Sequence, residues 1–242
     1  MIYMERIDKV LANSGYGTRT EIKKLIKTKV VQVDGLLVKD PGMRVDPNTQ
    51  DILIHGKQIQ YRKFIYLMMN KPQGVISATE DNLHETVIDL LEPEHKVFEP
   101  FPVGRLDIDT TGLLLITNDG EFAHRLLAPK KHVAKRYRAT LSAPVGEKEI
   151  EIFKNGVILD YEYKCLPAEL ILNKKSPDSI ESDDVDVIIY EGKHHQVKKM
   201  FLSVGCEVQT LERLEMGPYK LDLELEPGEY QEFEPLPEHL SD

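Results

Sequence analysis

At 242 residues the chain is long enough to bury a core of its own, and it suits either one large domain or an ordinary domain with a small one beside it. Hydrophobic residues make up 41% of it, yet no apolar run approaches the roughly 18 residues of a membrane span, and no signal-like stretch opens the chain, so a cytoplasmic protein is expected. The formal net charge of −10 is unevenly spread: residues 1–60 carry +3 and residues 61–242 carry −13, with no Lys or Arg beyond Lys220.

The first 60 residues read as a compact α/β module. Ile7, Val10 and Leu11 have helical spacing, and Gly15-Tyr16-Gly17 closes that helix. Thr18 with Glu21 fits a capping box for a second helix, whose apolar stripe is Ile22, Leu25 and Ile26. Asp34-Gly35 between Val30–Val33 and Leu36–Val38 is a two-residue hairpin signal. The second helix carries Lys23, Lys24 and Lys27, with Arg19 and Lys29 at its ends. Taken alone, such a charge run is a solvated face. The order helix, basic helix, Asp-Gly hairpin also resembles an S4 RNA-binding domain over about Glu5 to Ile59. That resemblance makes Arg6, Lys9, Arg19, Lys23, Lys24 and Lys27 the expected phosphate contacts.

The polar segment Gln60–Lys63 is the expected hinge to a second domain, residues 61–242, that ends in an acidic tail. Strands are predicted at Ile65–Met69, Leu113–Thr117, Arg138–Leu141 and Val185–Tyr190, with extended stretches at Lys220–Leu225 and Glu229–Phe233. Helices are predicted at Thr86–Leu91, Glu121–Leu127, Lys148–Asn155 and His194–Ser203. The mixture argues for an α+β fold with a largely antiparallel sheet. Cys165 and Cys206 stand far apart, without His or Cys at ligand spacing, and are read as two buried thiols.

Three segments mount polar chemistry at strand ends. The first is Gly104–Gly120, GRLDIDTTGLLLITNDG, where Arg105, Asp107 and Asp109 lie on a glycine-bounded turn that runs into an apolar strand. The others are Asn70-Lys71-Pro72-Gln73-Gly74 and Glu191–Met200, EGKHHQVKKM. From the turn alone, Asp107 is equally a catalytic carboxylate or a turn-capping side chain. Asp107-Ile108-Asp109-Thr110-Thr111 also fits the D-x-D-x-T pattern of aspartyl-phosphate hydrolases, but the apolar strand follows the aspartate instead of preceding it. A calcium loop opening at Asp107 fails to close, because Leu115 and Asn118 stand where oxygen ligands belong.

With Lys135-Arg136-Tyr137-Arg138 between them, the three segments resemble the motifs of the RsuA family of ribosomal RNA pseudouridine synthases, in order from about Phe64 to Phe233. The resemblance implies isomerisation of a uridine without metal, nucleotide or redox cofactor. It places the essential aspartate at Asp107 and its cationic partner at Lys198, a position where lysine gives up the bidentate geometry of arginine. It also places the stacking aromatic at Tyr137, otherwise one more aromatic on a half-buried strand. Arg105 resembles the arginine that takes the target's place in the duplex or holds the flipped nucleotide. Asp109, Thr110 and Thr111 are expected to hold the turn by local hydrogen bonds, and Gly112 to give it a sharp exit.

Lys71 is expected on a structural, RNA-facing turn where it meets a phosphate. On the helix predicted at His194–Ser203, His194 and Lys198 share one face. The adjacent histidines point apart there and are read as RNA-facing or packing residues, with no metal site. The stretch from Gly192 to Gly205, with Leu211 to Pro218, is similar to the enzyme of the family that modifies the 16S uridine conventionally numbered 516. The large-subunit siblings tend to carry an asparagine-arginine pair where His194 and His195 stand. The expected partner is therefore 16S RNA, with 23S RNA as the alternative and an RNA-binding ribosome-assembly protein as the non-catalytic one. A partly assembled small subunit is the expected form of the substrate, because flipping a base costs unstacking. A monomer is the default oligomeric state.

Overall fold

The capping box predicted at Thr18 forms in full in the computed structural model, which describes residues 4–159, 162–174, 176 and 179–239. The end of the acidic tail, residues 240–242, lies outside the described residues. Contacts divide the chain into two units, one of Met1–Ile65 with Leu91–Pro100 and one of Tyr66–Leu90 with Phe101–Asp242.

In the first unit, α1 (Ile7–Asn13) and α2 (Arg19–Lys27) pack on a small sheet. Its strands β1 (Val31–Val33), β2 (Leu36–Leu37), β3 (Ile52–Ile54) and β4 (Lys57–Gln58) lie in the order β2-β1-β3-β4. Ile7, Val10, Leu11, Ile22, Val31 and Ile52 bury almost completely in one core. Asp34 and Gly35 both take the left-handed conformation (φ 49° and 76°), as a type I′ hairpin requires. His55-Gly56 repeats the device (φ 49° and 76°) between β3 and β4, a hairpin the sequence reading missed.

The segment Gln60–Lys63, read as a hinge, is fastened to this unit. Tyr61 packs on its core, and Arg62 lies over the Phe98 ring at 5.0 Å.

The second unit is built on one mixed sheet. Its long strands are β5 (Tyr66–Lys71), β6 (Thr111–Thr117), β7 (Lys135–Val145), β8 (Glu169–Leu172), β9 (Ser182–Ile189), β10 (Val208–Met216) and β11 (Tyr230–Glu232). They lie in the order β8-β9-β7-β10-β6-β5-β11, antiparallel except where β10 meets β6. Helices α3 (Gly120–Leu127), α4 (Glu147–Lys154) and α5 (Gln196–Ser203) accompany the sheet. Asp119 caps α3 by accepting from the backbone N–H groups of Glu121 and Phe122. Met68, Leu113, Leu115, Phe122 and Met216 share one core cluster.

The parallel pairing places Gly112 against Arg213, where a Cβ on residue 112 would lie 2.4 Å from the Arg213 carbonyl oxygen. Glycine is required by that approach and by its φ of 94°.

Three predicted elements differ. Residues 86–91 form a side-chain-locked turn instead of a helix: Asp89 accepts from both the backbone N–H and the hydroxyl of Thr86 (2.9 and 2.8 Å). The extended stretch predicted at Lys220–Leu225 stops at Lys220. The helix predicted from His194 begins at Gln196, because His195 takes a left-handed conformation (φ 53°). The strands β8 and β10 went unpredicted. In β10 the sequence VQTLERLEM carries Gln, Glu and Arg through the middle of the sheet, which masks the apolar alternation.

Candidate active site

A cavity of about 600 Å³ opens in the second unit, within the size range of small-molecule and nucleotide sites. Asp107, Tyr137, Lys198, Arg105, His194 and His195 all contribute to its lining, so residues spread over some 90 positions of sequence converge on one place.

Asp107 stands on the turn that leads into β6. Its side chain is 29% exposed, and its neighbours are Lys198 Nζ at 3.4 Å and His195 Nε2 at 3.5 Å. Lys198 makes its shorter contact with Asp109, donating to Oδ1 at 2.5 Å. That hydrogen bond and the ammonium charge hold Asp109 below the usual carboxylate range. Lys198, expected as the partner of Asp107, thus stands between two carboxylates and is the closer to Asp109.

The turn is held from below, and not by its own side chains as expected. The Lys71 ammonium donates to the carbonyl oxygens of Thr110 (2.9 Å) and Pro72 (3.0 Å). The Gly74 N–H donates to Ile108 O (2.8 Å), and the Ser77 hydroxyl both donates to Leu106 O and accepts from Leu106 N–H (3.1 and 3.0 Å). Within the turn, the Thr110 N–H donates to Asp107 O (3.0 Å), while the Thr110 hydroxyl is buried without a partner. Asp109 is taken by Lys198.

Lys71 is fully buried and its ammonium is spent on two carbonyl oxygens, which departs from its reading as an RNA-facing residue. Burial lowers its pKa from the ordinary 10.5 to about 8, and Asp109 and Asp107 oppose part of that fall. Pro72 explains the geometry: a proline after Lys71 ends the strand, lets the chain turn under Asp107, and leaves the Pro72 carbonyl for the ammonium.

Tyr137 lies on β7, is 8% exposed and lines the cavity. The arginines beside it are committed elsewhere. Arg136 and Arg138 both donate to Asp186, a fully buried carboxylate that Asn173 also reaches. Burial works against the Asp186 charge, but hydrogen bonds from Arg138, Asn173 and Arg136 keep its pKa below the usual range.

His194 and His195 do not diverge on a helix. They precede α5 and stack with ring centroids 3.8 Å apart. The loop that carries them is braced by Glu191, which accepts from Gln196 Nε2 (2.8 Å) and from the Leu166 N–H (3.0 Å). Gln196 Oε1 in turn accepts from the Lys193 N–H (2.9 Å).

Lys135 and Arg213 also line the cavity, although the sequence marks neither as a site member and offers Lys135 only as a flank of Tyr137. Arg213 was legible as a charged residue on the strand after the third segment, but β10 had to be recognised first.

In the first unit the six basic residues expected to meet phosphate fall into two groups. Arg6 is held by Asp8 (2.8 Å), Lys9 by Glu5 (3.3 Å) and Arg19 by Glu99 (2.9 Å). Lys23, Lys24 and Lys27 on α2 are exposed and form no ion pair among the described residues.

Comparison with known proteins agrees with this anatomy. Residues 65–203 match the RNA pseudouridylate synthase family and residues 5–51 match the S4 domain. The chain is 51% identical to a protein of Bacillus subtilis (strain 168) described as an uncharacterized RNA pseudouridine synthase, over 97% of both chains. It is 38% identical to ribosomal small subunit pseudouridine synthase A of Escherichia coli (strain K12), covering 93% of this chain and 95% of that one. A crystal structure of a pseudouridylate synthase superposes with a TM-score of 0.65 at 32% identity, covering 95% of this chain and 96% of that one. No described helix is long and apolar enough to cross a membrane. With an S4 domain ahead of the synthase domain and such relatives along nearly its whole length, the chain belongs to the RNA pseudouridine synthases of the RsuA type, which are isomerases.

Proposed function

We propose that this protein converts one uridine of 16S ribosomal RNA, the one conventionally numbered 516, to pseudouridine, with Asp107 as the catalytic carboxylate. The observation that carries the reading is the placement of Asp107. It is a partly exposed carboxylate on a turn braced by Lys71, Gly74 and Ser77, facing a cavity of nucleotide size beside Lys198 and Tyr137.

The reaction breaks the N1–C1′ bond, turns the base, joins C5 to C1′, moves the C5 proton off carbon and leaves a proton on N1. Lys198 orients Asp107 from 3.4 Å, Tyr137 gives the base a flat surface, and Arg105 holds the flipped nucleotide. Exposed Lys23, Lys24 and Lys27 supply phosphate contacts from the S4 domain. The protein acts as a cytoplasmic monomer on a small subunit still being assembled, where the target can be flipped at the least cost in stacking.

Support for the 16S target is the resemblance of Gly192–Gly205 and Leu211–Pro218 to small-subunit enzymes, together with the Escherichia coli relative. The test is carbodiimide mapping of 16S and 23S RNA after incubation with the protein and with Asp107→Ala. One new stop in 16S RNA that depends on Asp107 is the expected result. A stop in 23S RNA overturns the target, and a stop that survives Asp107→Ala overturns the aspartate.

A further inference from the structure

Strand register puts Val187, Tyr137, Arg213, Gly112 and Lys71 in one row across five strands of the sheet. Residues paired in this way present their side chains to the same face. Two cations therefore flank Gly112, which has no side chain between them. Lys71 has its acceptors in Thr110 and Pro72. Arg213 does not have a comparable set.

Arg213 is 2% exposed and lines the cavity beside Tyr137. Its Nε donates to Leu113 O (2.8 Å), its Nη2 is buried with no hydrogen-bond partner, and it forms no ion pair among the described residues. Lys135, whose ammonium donates to Val133 O (3.0 Å), lines the same cavity. Burial lowers the Lys135 pKa, and the positive charge of Arg213 lowers it further. A guanidinium does not shed its proton to escape burial, so its charge calls for an acceptor. The protein supplies one carbonyl and no carboxylate. What remains is an acceptor that arrives with the ligand.

Resting on the reading of this cavity as the uridine site, we propose that Arg213 recognises the flipped base by donating to a uracil carbonyl oxygen. It thereby stabilises the charge that gathers on the base as the N1–C1′ bond breaks. When that bond's electron pair leaves with the base, the negative charge spreads over N1, O2 and O4. A fixed guanidinium at O2 or O4 is then worth more in the transition state than before it. The charge is consumed when C5 joins C1′, and the C5 proton is lost as N1 gains one.

The test pairs protein variants with atomic changes in the substrate. Single-turnover rates are measured for wild type, Arg213→Gln and Arg213→Lys. The ligated 16S transcripts carry uridine, 2-thiouridine or 4-thiouridine at the mapped target. Sulfur is the weaker acceptor, so wild type should slow about tenfold on one of the two thio substrates. Arg213→Gln should slow about a hundredfold on the uridine RNA, with RNA affinity kept and with that thio penalty gone, and Arg213→Lys should recover part of the rate.

Equal thio penalties in wild type and Arg213→Gln would overturn the contact and leave Arg213 a strand-bracing residue. Should Arg213→Gln fail to fold, Arg213→Met, which keeps the apolar stem and donates nothing, is compared with wild type on the same criterion. Wild type inactive on the uridine RNA, both bare and reconstituted into a partial small subunit, would overturn the site reading itself, a different result from an active enzyme that ignores sulfur.

Discussion

Asp107 and Asp186 each stand beside two basic side chains in the same unit, and they are used in opposite ways. Asp186 is fully buried and saturated, with Arg136, Arg138 and Asn173 on its two oxygens at 2.5–3.4 Å. Asp107 is part-exposed and loosely held, with Lys198 at 3.4 Å and His195 at 3.5 Å. A carboxylate whose lone pairs are all spoken for joins strands together. One that keeps free lone pairs at a cavity, on a rigid turn, is available to a substrate. The basic residues follow the same rule: Arg136 and Arg138, next to Tyr137, serve β9, whereas Arg105, next to Asp107, is exposed and unpaired among the described residues.

The contrast is tested most severely by making both carboxylates amides. Asp107→Asn should lower the single-turnover rate at least about a thousandfold while leaving thermal stability and RNA affinity unchanged. A loss of stability with activity would make Asp107 a structural residue like Asp186.

Asp186→Asn should do the reverse. It removes the counter-charge of two half-exposed arginines, so the cost in unfolding free energy is about 2–3 kcal/mol, near the lower end of what a broken buried pair costs. The rate at low temperature should stay close to wild type. Because the folded-state pKa of Asp186 is depressed, its contribution is complete above the ordinary carboxylate range and is lost as pH falls through the lowered value. Urea denaturation of both proteins at pH 7 and at acid pH should show the gap closing in acid.

How much of this was legible in sequence depends on where each interaction is made. The capping box at Thr18, the Asp34-Gly35 hairpin and the strand from Leu113 rest on neighbours within a few residues, and reading the chain locally found them. Asp107, Tyr137 and Lys198 were located through motif resemblance, and the structure brings them to one cavity. What the sequence could not express was which cations are already occupied. Lys71 looks like a phosphate ligand in a row of letters, and Arg136 and Arg138 like free basic flanks of Tyr137, but they are spent on Thr110, Pro72 and Asp186, up to 50 residues away. The helix predicted over residues 86–91 failed for a related reason, because Asp89 binds back to Thr86 and competes with the helical backbone.

Lys71 sharpens the comparison because it is saturated like Asp186 yet lies under Asp107. Lys71→Met leaves Thr110 O and Pro72 O without their donor and frees the turn. A displacement of about 1 Å there should cost roughly a hundredfold in rate, with RNA affinity kept. Stability carries a separate signature. The Lys71 pKa is lowered on folding, so between about pH 8 and 10.5 the unfolded chain still holds a proton that the folded chain has released. Stability therefore rises with pH across that window, by at most about 1.4 kcal/mol per unit from this group. Wild type minus Lys71→Met, measured by urea denaturation from pH 7 to pH 10, should grow with pH. A flat difference would mean that Lys71 titrates as an ordinary lysine and is not held dry beneath the site.

The smallest expected effect concerns the first unit, where the same division separates Arg6, Lys9 and Arg19, each paired with a carboxylate, from Lys23, Lys24 and Lys27, which are not. Only unpaired cations release counterions in full when they meet phosphate, because a paired one must first give up its carboxylate. Replacing Lys23 and Lys24 together by Ala should weaken RNA binding about tenfold at moderate salt. It should also reduce the slope of log affinity against log salt by about 2, with turnover at saturating RNA retained. Replacing Arg6 and Lys9 instead should change the slope by less than about 1, since their charge is already matched within the protein. Equal slopes for the two double variants would show that pairing in the free protein does not predict which residues meet RNA, and the rule drawn from Asp107 and Asp186 would then apply to carboxylates alone.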